Sequence, residues 1–340
     1  MNNKKILVIT EGGKTLGFGH ITRTISICTI FASFGYEIEY IINGDSSIDN
    51  IMNYPYQIFD WQTEQSRLEE NLKNKSLILL DSILVKDDQI KRIESFNIPI
   101  IFIDDEKQRN ILNKGFVVDW TILREKENLF ENRKENVKYL LGSKYIPLRK
   151  EFYKENIQNI IKENVSKIMI TFGGSDVRNL TPKILEILNI NFPNIKKDVI
   201  IGPGFNNLEE IKKHSNNANI NLITNASTEQ MIESMRTSDI AIAAGGQTLY
   251  ELAHIGTPTI GILLVENAKA DTMGWSKVGF LNYIGTYCDL HLEEKLITAI
   301  KSLLTQENRL KVQENAHKYI SKNGGQMLVK EILESLNDNI

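Results

Sequence analysis

The chain lacks most features that would assign it to a specialised class of protein. It has two cysteines in 340 residues, Cys28 and Cys288, which fit no zinc-binding spacing and are too few for a disulfide framework. No apolar run reaches the roughly 20 residues that cross a membrane. The start, Met-Asn-Asn-Lys-Lys, leads into an apolar run too short for a signal peptide. We therefore expect a cytoplasmic protein without a structural metal or a membrane span.

The net charge also shows no strong bias. Forty Lys and Arg residues stand against 43 Asp and Glu residues, a formal charge of −3, which excludes the basic footprint of a nucleic-acid-binding protein. The content of 41% hydrophobic and 24% charged residues is ordinary for a globular protein. A chain of 340 residues is longer than one core usually covers, so two domains are expected. A monomer is compatible with this composition.

Short apolar runs alternate with longer amphipathic segments in both halves of the chain. The runs are continuous in Ile, Leu and Val, which is typical of parallel strands covered by helices on both faces. We therefore predict an α/β protein of two doubly wound, Rossmann-like domains with an interdomain cleft. The ten predicted strands are Lys5–Thr10, Tyr36–Ile42, Ser76–Leu80, Ile98–Ile103, Phe116–Leu123, Lys167–Thr171, Asp198–Gly202, Ile220–Thr224, Ile240–Ala244 and Thr259–Leu264.

Capping residues predict where several helices begin and end. One helix would run from Ile21 to Phe34 and end at Gly35, and another from Thr248 to His254 and end at Gly256. Thr181 and Pro182 are predicted to open a helix over 183–189. One long polar helix is predicted over 306–336. We expect an N-terminal domain over 1–155, a C-terminal domain over 156–320 and a final helix in 321–340 that packs back across the hinge.

A glycine-rich segment directly follows the first predicted strand. A Walker loop would need glycine at Val8, and a dinucleotide fingerprint would need a third glycine at Thr22, so neither motif is present. What remains is a turn with Gly17 and Gly19 that brings His20 to the first turn of a helix. The positive end of that helix would keep His20 neutral and able to accept a proton. The alternative is a histidine that caps or packs the helix.

Two further glycine-rich turns follow predicted strands in the second half. Gly173-Gly174-Ser175 comes after one strand, and Gly245-Gly246-Gln247-Thr248 comes after another. In the latter turn, backbone N–H groups at a helix start form an anion site suited to a diphosphate. Glu251, one turn further on, could accept hydrogen bonds from ribose hydroxyls. Each turn alone is compatible with a tight strand-to-helix connection that binds no ligand.

Acidic residues end two strands of the first half. Asp81 follows one strand, and Asp104 and Asp105 follow the next. Paired carboxylates can bind Mg²⁺. Solvated loop residues or helix caps are the more frequent explanation, so no metal site is predicted.

The turn Gly17–Arg23, the segment Gly142–Arg149 and the helix start Gly246–Glu251 occur in a fixed order along the chain. Together with the segments given below, they resemble one family of enzymes, the UDP-sugar hydrolases of pseudaminic acid biosynthesis, which have homologues in spore-coat polysaccharide synthesis. The resemblance covers about residues 4 to 290. The segment around Tyr145 is the most distinctive, whereas the glycine-rich turns and the Thr-x-x-Glu helix are shared with the wider GT-B glycosyltransferases. The matching segments are Gly17–Arg23, Gly142–Arg149 with Glu151 and Phe152, Phe172–Asp176, Gly246–Glu251 and Glu266–Asn267.

The resemblance implies a GT-B fold and an inverting hydrolysis. Water would attack the anomeric carbon of UDP-2,4-diacetamido-2,4,6-trideoxy-β-L-altropyranose and release UDP and free sugar, with no metal or other cofactor. It implies His20 as the general base and Asn267 as a polar residue at the sugar. The implied substrate contacts are Gly17, Gly19, Arg23, Asp81, Gly173, Gly174, Ser175, Gly245, Gly246, Gln247, Thr248, Glu251 and Glu266.

The chain departs from the family pattern at two positions. Ile83 stands where the family usually has Tyr, and Ala268 stands where it commonly has Gln. Both positions are near the sugar in the family, so a relative that takes a different deoxy-amino sugar stays open. Two other functions also stay open: a GT-B glycosyltransferase with a UDP-sugar donor, and a non-catalytic subunit that binds a nucleotide sugar.

Overall fold

The computed structural model describes residues 4–338, except 15, 106–108, 128–132 and 216–217. The chain forms two compact units, one of Met1–Lys150 with Asn323–Ile340 and one of Glu151–Lys322. Within the described residues, no helix has both the length and the apolar character needed to cross a bilayer. Helices and strands are labelled below in chain order.

The first unit is a parallel sheet of seven strands in its described part, in the order β3-β2-β1-β4-β5-β6-β7 given below. The C-terminal helix α11 belongs to this unit. Short 3₁₀ turns occupy Ser46–Ile48, Arg124–Lys126 and Ser143–Tyr145. The elements are β1 Lys5–Gly12, α1 Gly19–Ser33, β2 Glu37–Gly44, β3 Tyr56–Ile58, α2 Gln65–Leu72, β4 Leu77–Asp81, α3 Asp87–Glu94, β5 Ile100–Ile103, β6 Gly115–Asp119, β7 Val137–Leu141 and α11 Gly324–Asp338.

The second unit repeats the design with six described parallel strands, in the order β10-β9-β8-β11-β12-β13. A 3₁₀ turn follows β12 at Glu266–Ala268. The elements are β8 Lys167–Thr171, α4 Leu180–Asn191, β9 Lys196–Ile201, α5 Leu208–His214, β10 Ile220–Thr224, α6 Thr228–Thr237, β11 Ile240–Ala244, α7 Gln247–Ile255, β12 Thr259–Leu263, α8 Lys269–Lys277, β13 Leu281–Thr286, α9 Leu292–Leu303 and α10 Gln306–Tyr319.

The predicted fold class is confirmed, since each unit has a parallel sheet with helices between its strands. All ten predicted strands are present. The continuous apolar runs of the inner strands are buried on both faces, and every residue of β4 and β5 is buried. The three strands that the sequence pattern misses are β3, β7 and β13, and each lies at the edge of its sheet. Edge strands are covered less completely, so their sequences are more polar.

Two predicted boundaries are wrong. The strand predicted over Phe116–Leu123 ends at Asp119, and Leu123 adopts a left-handed backbone with φ of 66° before a 3₁₀ turn. The helix predicted to be capped by Thr181 begins at Leu180. Its first N–H groups are taken by Asp176, whose carboxylate accepts hydrogen bonds from the backbone of Leu180 and Thr181, both at 2.9 Å.

The long C-terminal helix predicted over 306–336 is two helices. α10 ends at Tyr319, and α11 begins at Gly324. Gly324 lies against backbone carbonyl oxygens in the 144–146 segment, where a Cβ atom would come within 2.7 Å of the Ile146 oxygen. α11 is further attached to the first unit by the Tyr145 hydroxyl, which donates to Glu331 Oε1 at 2.9 Å.

Candidate functional site

In the first sheet, the chain reverses its direction of winding between β1 and β4. The order β3-β2-β1 runs one way and β4-β5-β6-β7 runs the other. Ligands in open parallel sheets bind outside the carboxyl ends of the strands at such a point. The strand register pairs Thr10 with Asp81, so both strands end together here. The loop after β1 and the first turn of α1 therefore lie beside Asp81.

The structure brings His20 and Asp81 together at this point. His20 Nδ1 lies 2.8 Å from Asp81 Oδ1, and the Asp81 side chain is 0% exposed. An ionised carboxylate only accepts hydrogen bonds, so Nδ1 carries the proton and Nε2 of the neutral ring holds a lone pair. This arrangement fixes the tautomer and the orientation that a general base requires. Both residues were predicted as part of the site, but no feature of the sequence indicated that they pair across 61 positions.

Arg23 lies one turn after His20 on α1 and joins two carboxylates. Its guanidinium donates to Asp81 through Nε at 2.7 Å and through Nη2 at 2.5 Å, and to Asp105 through Nη1 at 2.5 Å. Its face lies 5.2 Å from the ring of Trp120. The planar fork of arginine suits this paired contact. Arg23, predicted as a substrate contact, is therefore occupied in holding Asp81 and Asp105.

The charges at the site determine which form of the His20 ring is favoured. Burial lowers the pKa of the His20 ring, but the charge and hydrogen bond of Asp81 raise it more, so the pKa lies above its ordinary 6.5. The helix end was expected to favour the neutral ring, whereas the Asp81 carboxylate favours the protonated ring. Burial likewise opposes the charge of Asp81, yet Arg23 and His20 together hold the pKa of Asp81 well below its usual range.

Both carboxylates at the end of β5 are paired with arginine. Asp104 is held by Arg109, whose Nε lies 3.2 Å from Asp104 Oδ1, and Asp105 is held by Arg23. A small pocket is lined by these groups together with His20, Asp81, Ser82, Ile83 and Ile103. In the part of the chain that the structure describes, no cluster of three or more His, Cys, Asp or Glu side chains could hold a metal ion.

The loop between β1 and α1 closes on itself just before His20. The Gly13 N–H donates to the Gly17 carbonyl at 2.9 Å, and Gly17 has a φ of +78°, which favours glycine. Asp45, after β2, accepts a hydrogen bond from the Lys14 N–H at 3.0 Å. A side chain at Gly19 would meet nothing within 4 Å, so this glycine borders open space next to His20.

The second sheet has its own reversal, between β8 and β11. The predicted turn after β11 lies here. Gly246 has a φ of +98° and directly precedes α7, so Gln247 and Thr248 occupy the first turn of the helix. Glu251 is buried one turn further along. The N-cap residue of α7, Gly246, has no side chain that could cap the helix, and a helix start of this kind attracts anions.

The other predicted residues of the second unit lie in two loops. Gly173, Gly174 and Ser175 are exposed in the loop after β8, the strand next to β11. Glu266 and Asn267 are exposed in the 3₁₀ turn after β12, where Glu266 pairs with Lys269 at 2.6 Å. A Cβ atom on Gly245 would come within 2.7 Å of Ala268 Cβ, so this turn packs against the start of α7.

Glu11 is a residue of the site to which the sequence analysis assigned no role. It is the penultimate residue of β1, its carboxylate is fully buried, and it accepts hydrogen bonds from the turn that follows Asp81. The signal was present, because a charged residue at the end of a continuous apolar strand is unusual. Its partners, however, are distant in sequence and become neighbours only through the pairing of β1 with β4.

Comparison with known proteins finds distant relatives, and no family model matches the chain. The chain is 29% identical over 268 residues to an uncharacterized protein of Methanocaldococcus jannaschii, across 75% of this chain and 55% of that protein. It is 22% identical to the spore coat polysaccharide biosynthesis protein SpsG of Bacillus subtilis, across 80% of this chain and 81% of SpsG.

The name of a third relative lists two activities. This is the pseudaminic acid cytidylyltransferase and UDP-2,4-diacetamido-2,4,6-trideoxy-β-L-altropyranose hydrolase of Helicobacter pylori, 21% identical across 88% of this chain and 50% of that protein. The chain thus spans about half the length of the archaeal and Helicobacter proteins.

Solved structures define the fold. Acinetobacter baumannii MurG matches 97% of this chain with a TM-score of 0.67 at 14% identity. Arabidopsis thaliana UGT89C1 matches 96% of this chain with a TM-score of 0.67 at 12% identity. The chain has the GT-B fold, as the sequence resemblance implied.

Proposed function

We propose that this protein is an inverting nucleotide-sugar hydrolase that releases UDP and a free 2,4-diacetamido-2,4,6-trideoxyhexose by attack of water on the anomeric carbon. The observation that carries the proposal is the His20–Asp81 pair, in which Nδ1 is held at 2.8 Å and Nε2 is left to accept a proton. The hydrolase named in the Helicobacter relative supports the reaction type. Such a product would serve nonulosonic acid or surface polysaccharide synthesis, and SpsG is named for the latter.

In the proposed reaction, His20 removes a proton from one water molecule. The water oxygen forms a bond to the anomeric carbon as the bond from that carbon to the UDP oxygen breaks, and the electron pair leaves with UDP. A single displacement inverts the anomeric configuration. The negative Asp81 stabilises the imidazolium that forms, and a positioned base of this kind typically contributes about 10²–10⁴-fold.

UDP is proposed to bind the second unit. The start of α7, with Gly245, Gly246, Gln247 and Thr248, would hold the diphosphate and stabilise the charge that develops on it as it leaves. Glu251 would accept hydrogen bonds from the ribose. Contacts with the rest of the substrate are proposed for Gly173, Gly174, Ser175, Glu266 and Asn267. Since a diphosphate is a good leaving group, no strong general acid is needed.

The second candidate is a glycosyltransferase that uses a UDP-sugar donor. The GT-B fold favours it, because MurG and UGT89C1 have that fold, and a base at His20 would serve an acceptor hydroxyl as well as water. The third is a binding subunit without turnover. The difference between the three lies in what happens to a bound nucleotide sugar when no acceptor is present.

The deciding experiment is a UDP-release assay without acceptor. Purified protein is mixed with UDP-2,4-diacetamido-2,4,6-trideoxy-β-L-altropyranose or, for comparison, UDP-N-acetylglucosamine. Free UDP is measured, and the anomer formed first is read by proton NMR. We expect UDP release from the trideoxy sugar with inversion, and loss of release in His20→Asn. UDP release only after an acceptor is added would establish the transferase, and tight binding without release would establish the binding subunit.

A further inference from the structure

Glu11 is a buried carboxylate without a cationic partner among the described residues. It is 0% exposed. Its Oε1 accepts hydrogen bonds from the backbone N–H groups of Ile83 at 2.8 Å and Leu84 at 3.2 Å, and its Oε2 accepts one from the Ser82 hydroxyl. Burying an ionised carboxylate is costly unless such bonds replace water. The three donors therefore account for how the charge is tolerated at this position.

These contacts order the whole turn that follows β4. The Ser82 hydroxyl oxygen accepts from the N–H groups of Leu84 at 3.1 Å and Val85 at 3.0 Å, while its own hydrogen goes to Glu11. The turn begins directly after Asp81, the partner of His20. Ser82 and Ile83 also line the pocket that contains His20. Glu11 thus holds the segment that connects the Asp81 strand to the pocket wall.

The bonding pattern requires two acceptor oxygens. Ser82 already accepts two N–H groups, so its hydroxyl can only donate towards Glu11. A glutamine would offer one oxygen and one NH₂ group, and that NH₂ group would face the hydroxyl hydrogen of Ser82. Both oxygens of a carboxylate can accept, so glutamate satisfies all three donors and glutamine does not. The position therefore requires two acceptor oxygens as well as the length of a glutamate side chain.

We propose that Glu11 is a positioning residue that fixes the turn Ser82–Val85, and with it Asp81, beside His20. This inference rests on the proposed role of His20 as the base. It assigns to Glu11 no contact with substrate or water. Two effects of Glu11 can be tested separately. Its hydrogen bonds position the turn after β4, and its charge acts on the His20 ring.

The charge effect acts on His20 together with the other charges that face it. Glu11 and Asp81 both raise the pKa of the His20 ring, while burial and Arg23 lower it. The remaining charged groups of the pocket are Asp104, Asp105 and Arg109, which are held in the arginine pairs described above. Neutralising Glu11 should therefore shift the His20 pKa downward but leave the larger effect of Asp81 in place.

The test that does not depend on activity is an NMR titration of labelled histidine without substrate. We expect the His20 midpoint to move to lower pH in Glu11→Gln and to stay near the wild-type value in Glu11→Asp, which keeps the charge. Glu37→Gln, the same substitution at an exposed residue of β2, is the control and should leave the midpoint unchanged. A His20 midpoint that is the same in Glu11→Gln and wild type would overturn the charge effect.

The geometric effect is tested by turnover of the UDP-sugar that the wild type hydrolyses. Glu11→Gln should lower kcat by about 10-fold, as losses of residues that orient a reacting group do, with KM nearly unchanged. Ser82→Ala removes a donor to Glu11 but keeps its charge, so it should lower kcat without moving the His20 midpoint. If Glu11→Gln does not fold, Ser82→Ala still tests the geometric effect.

Different results would contradict the role of Glu11 and the proposed hydrolase activity. Normal kcat in a folded Ser82→Ala variant would overturn the geometric role of Glu11 while leaving the hydrolase intact. A shifted His20 midpoint in Glu11→Gln, in a protein that releases no UDP from any nucleotide sugar, would support the charge effect and overturn the hydrolase.

Discussion

At the scale of single residues, the chemistry depends on how a few buried charges are shared. Asp81 accepts hydrogen bonds from both His20 and Arg23, and Arg23 divides its donors between Asp81 and Asp105. Replacing any one member leaves another charge without its partner, which is costly in a buried site. His20 therefore cannot be understood alone, because its proton affinity is set by Asp81.

The pH profile of turnover follows from this arrangement. His20 must be neutral to accept a proton, and its pKa in the free protein lies above 6.5, so kcat/KM should fall as the pH is lowered through a value above 6.5. In Asp81→Asn, burial and Arg23 remain and both lower the pKa, so the acid limb should move to lower pH. The loss of the fixed tautomer should also reduce kcat by roughly 10–100-fold.

The measurement is kcat/KM as a function of pH for wild type and Asp81→Asn. Asp87→Asn, the same change at an exposed residue of α3, is the control for the substitution itself. An acid limb that stays in place in folded Asp81→Asn would show that a group other than His20 limits the reaction at low pH.

At the scale of elements, the sequence predicts the strands that are continuous apolar runs and misses the more polar ones. All ten predicted strands exist, yet β3, β7 and β13 were missed. Two of three residues in β3 are exposed, and β13 includes Asn282 and Gly285, so neither reads as a continuous apolar run. The helix break before Gly324 depends on the backbone of a segment about 180 residues earlier in the chain. The sequence Asn323-Gly324-Gly325 is also a local turn signal, which the prediction of one helix over 306–336 overlooked.

For the candidate site as well, some features could be predicted from the sequence and others could not. Each glycine-rich turn and His20 could be named from local sequence, because strand ends and helix starts are local features. The pairing of His20 with Asp81 and the contacts of Glu11 with Ser82 arise from strand pairing. Arg23 illustrates the limit, since nothing near it in sequence indicates that two distant aspartates occupy its guanidinium.

The cap of α4 gives a prediction about stability. Asp176 is 4% exposed and accepts hydrogen bonds from two N–H groups of the first helical turn, and Asn207 Nδ2 donates to it at 3.2 Å. Asp176→Ala should lower the free energy of unfolding by about 1–2 kcal/mol, because those donors lose their partner. Urea denaturation measures the change. Asp88→Ala, at an exposed carboxylate in the first turn of α3, is the control and should cost less. Equal losses in the two variants would exclude a specific cap.

At the scale of the whole molecule, the two units carry different parts of the proposed reaction. Both have the same doubly wound topology, and each places its candidate residues where its sheet reverses, between β1 and β4 or between β8 and β11. The charged residues differ. The first unit carries the buried cluster of His20, Asp81 and Arg23, which suits proton transfer. The second carries an open helix start followed by Glu251, which suits a diphosphate and a ribose.

This division predicts that binding and chemistry can be lost separately. Glu251→Ala should weaken UDP binding by roughly 1–3 kcal/mol, because a charge-assisted hydrogen bond is lost. His20→Asn should leave UDP affinity unchanged and lower the single-turnover rate by about 10²-fold or more, since asparagine cannot accept the proton. The double variant should show the binding loss of one and the rate loss of the other. Calorimetry with UDP and single-turnover kinetics at saturating substrate measure the two quantities independently. If His20→Asn weakens UDP binding as much as Glu251→Ala does, then the loop at Gly17–His20 supports the nucleotide, and the assignment of binding to the second unit alone is wrong.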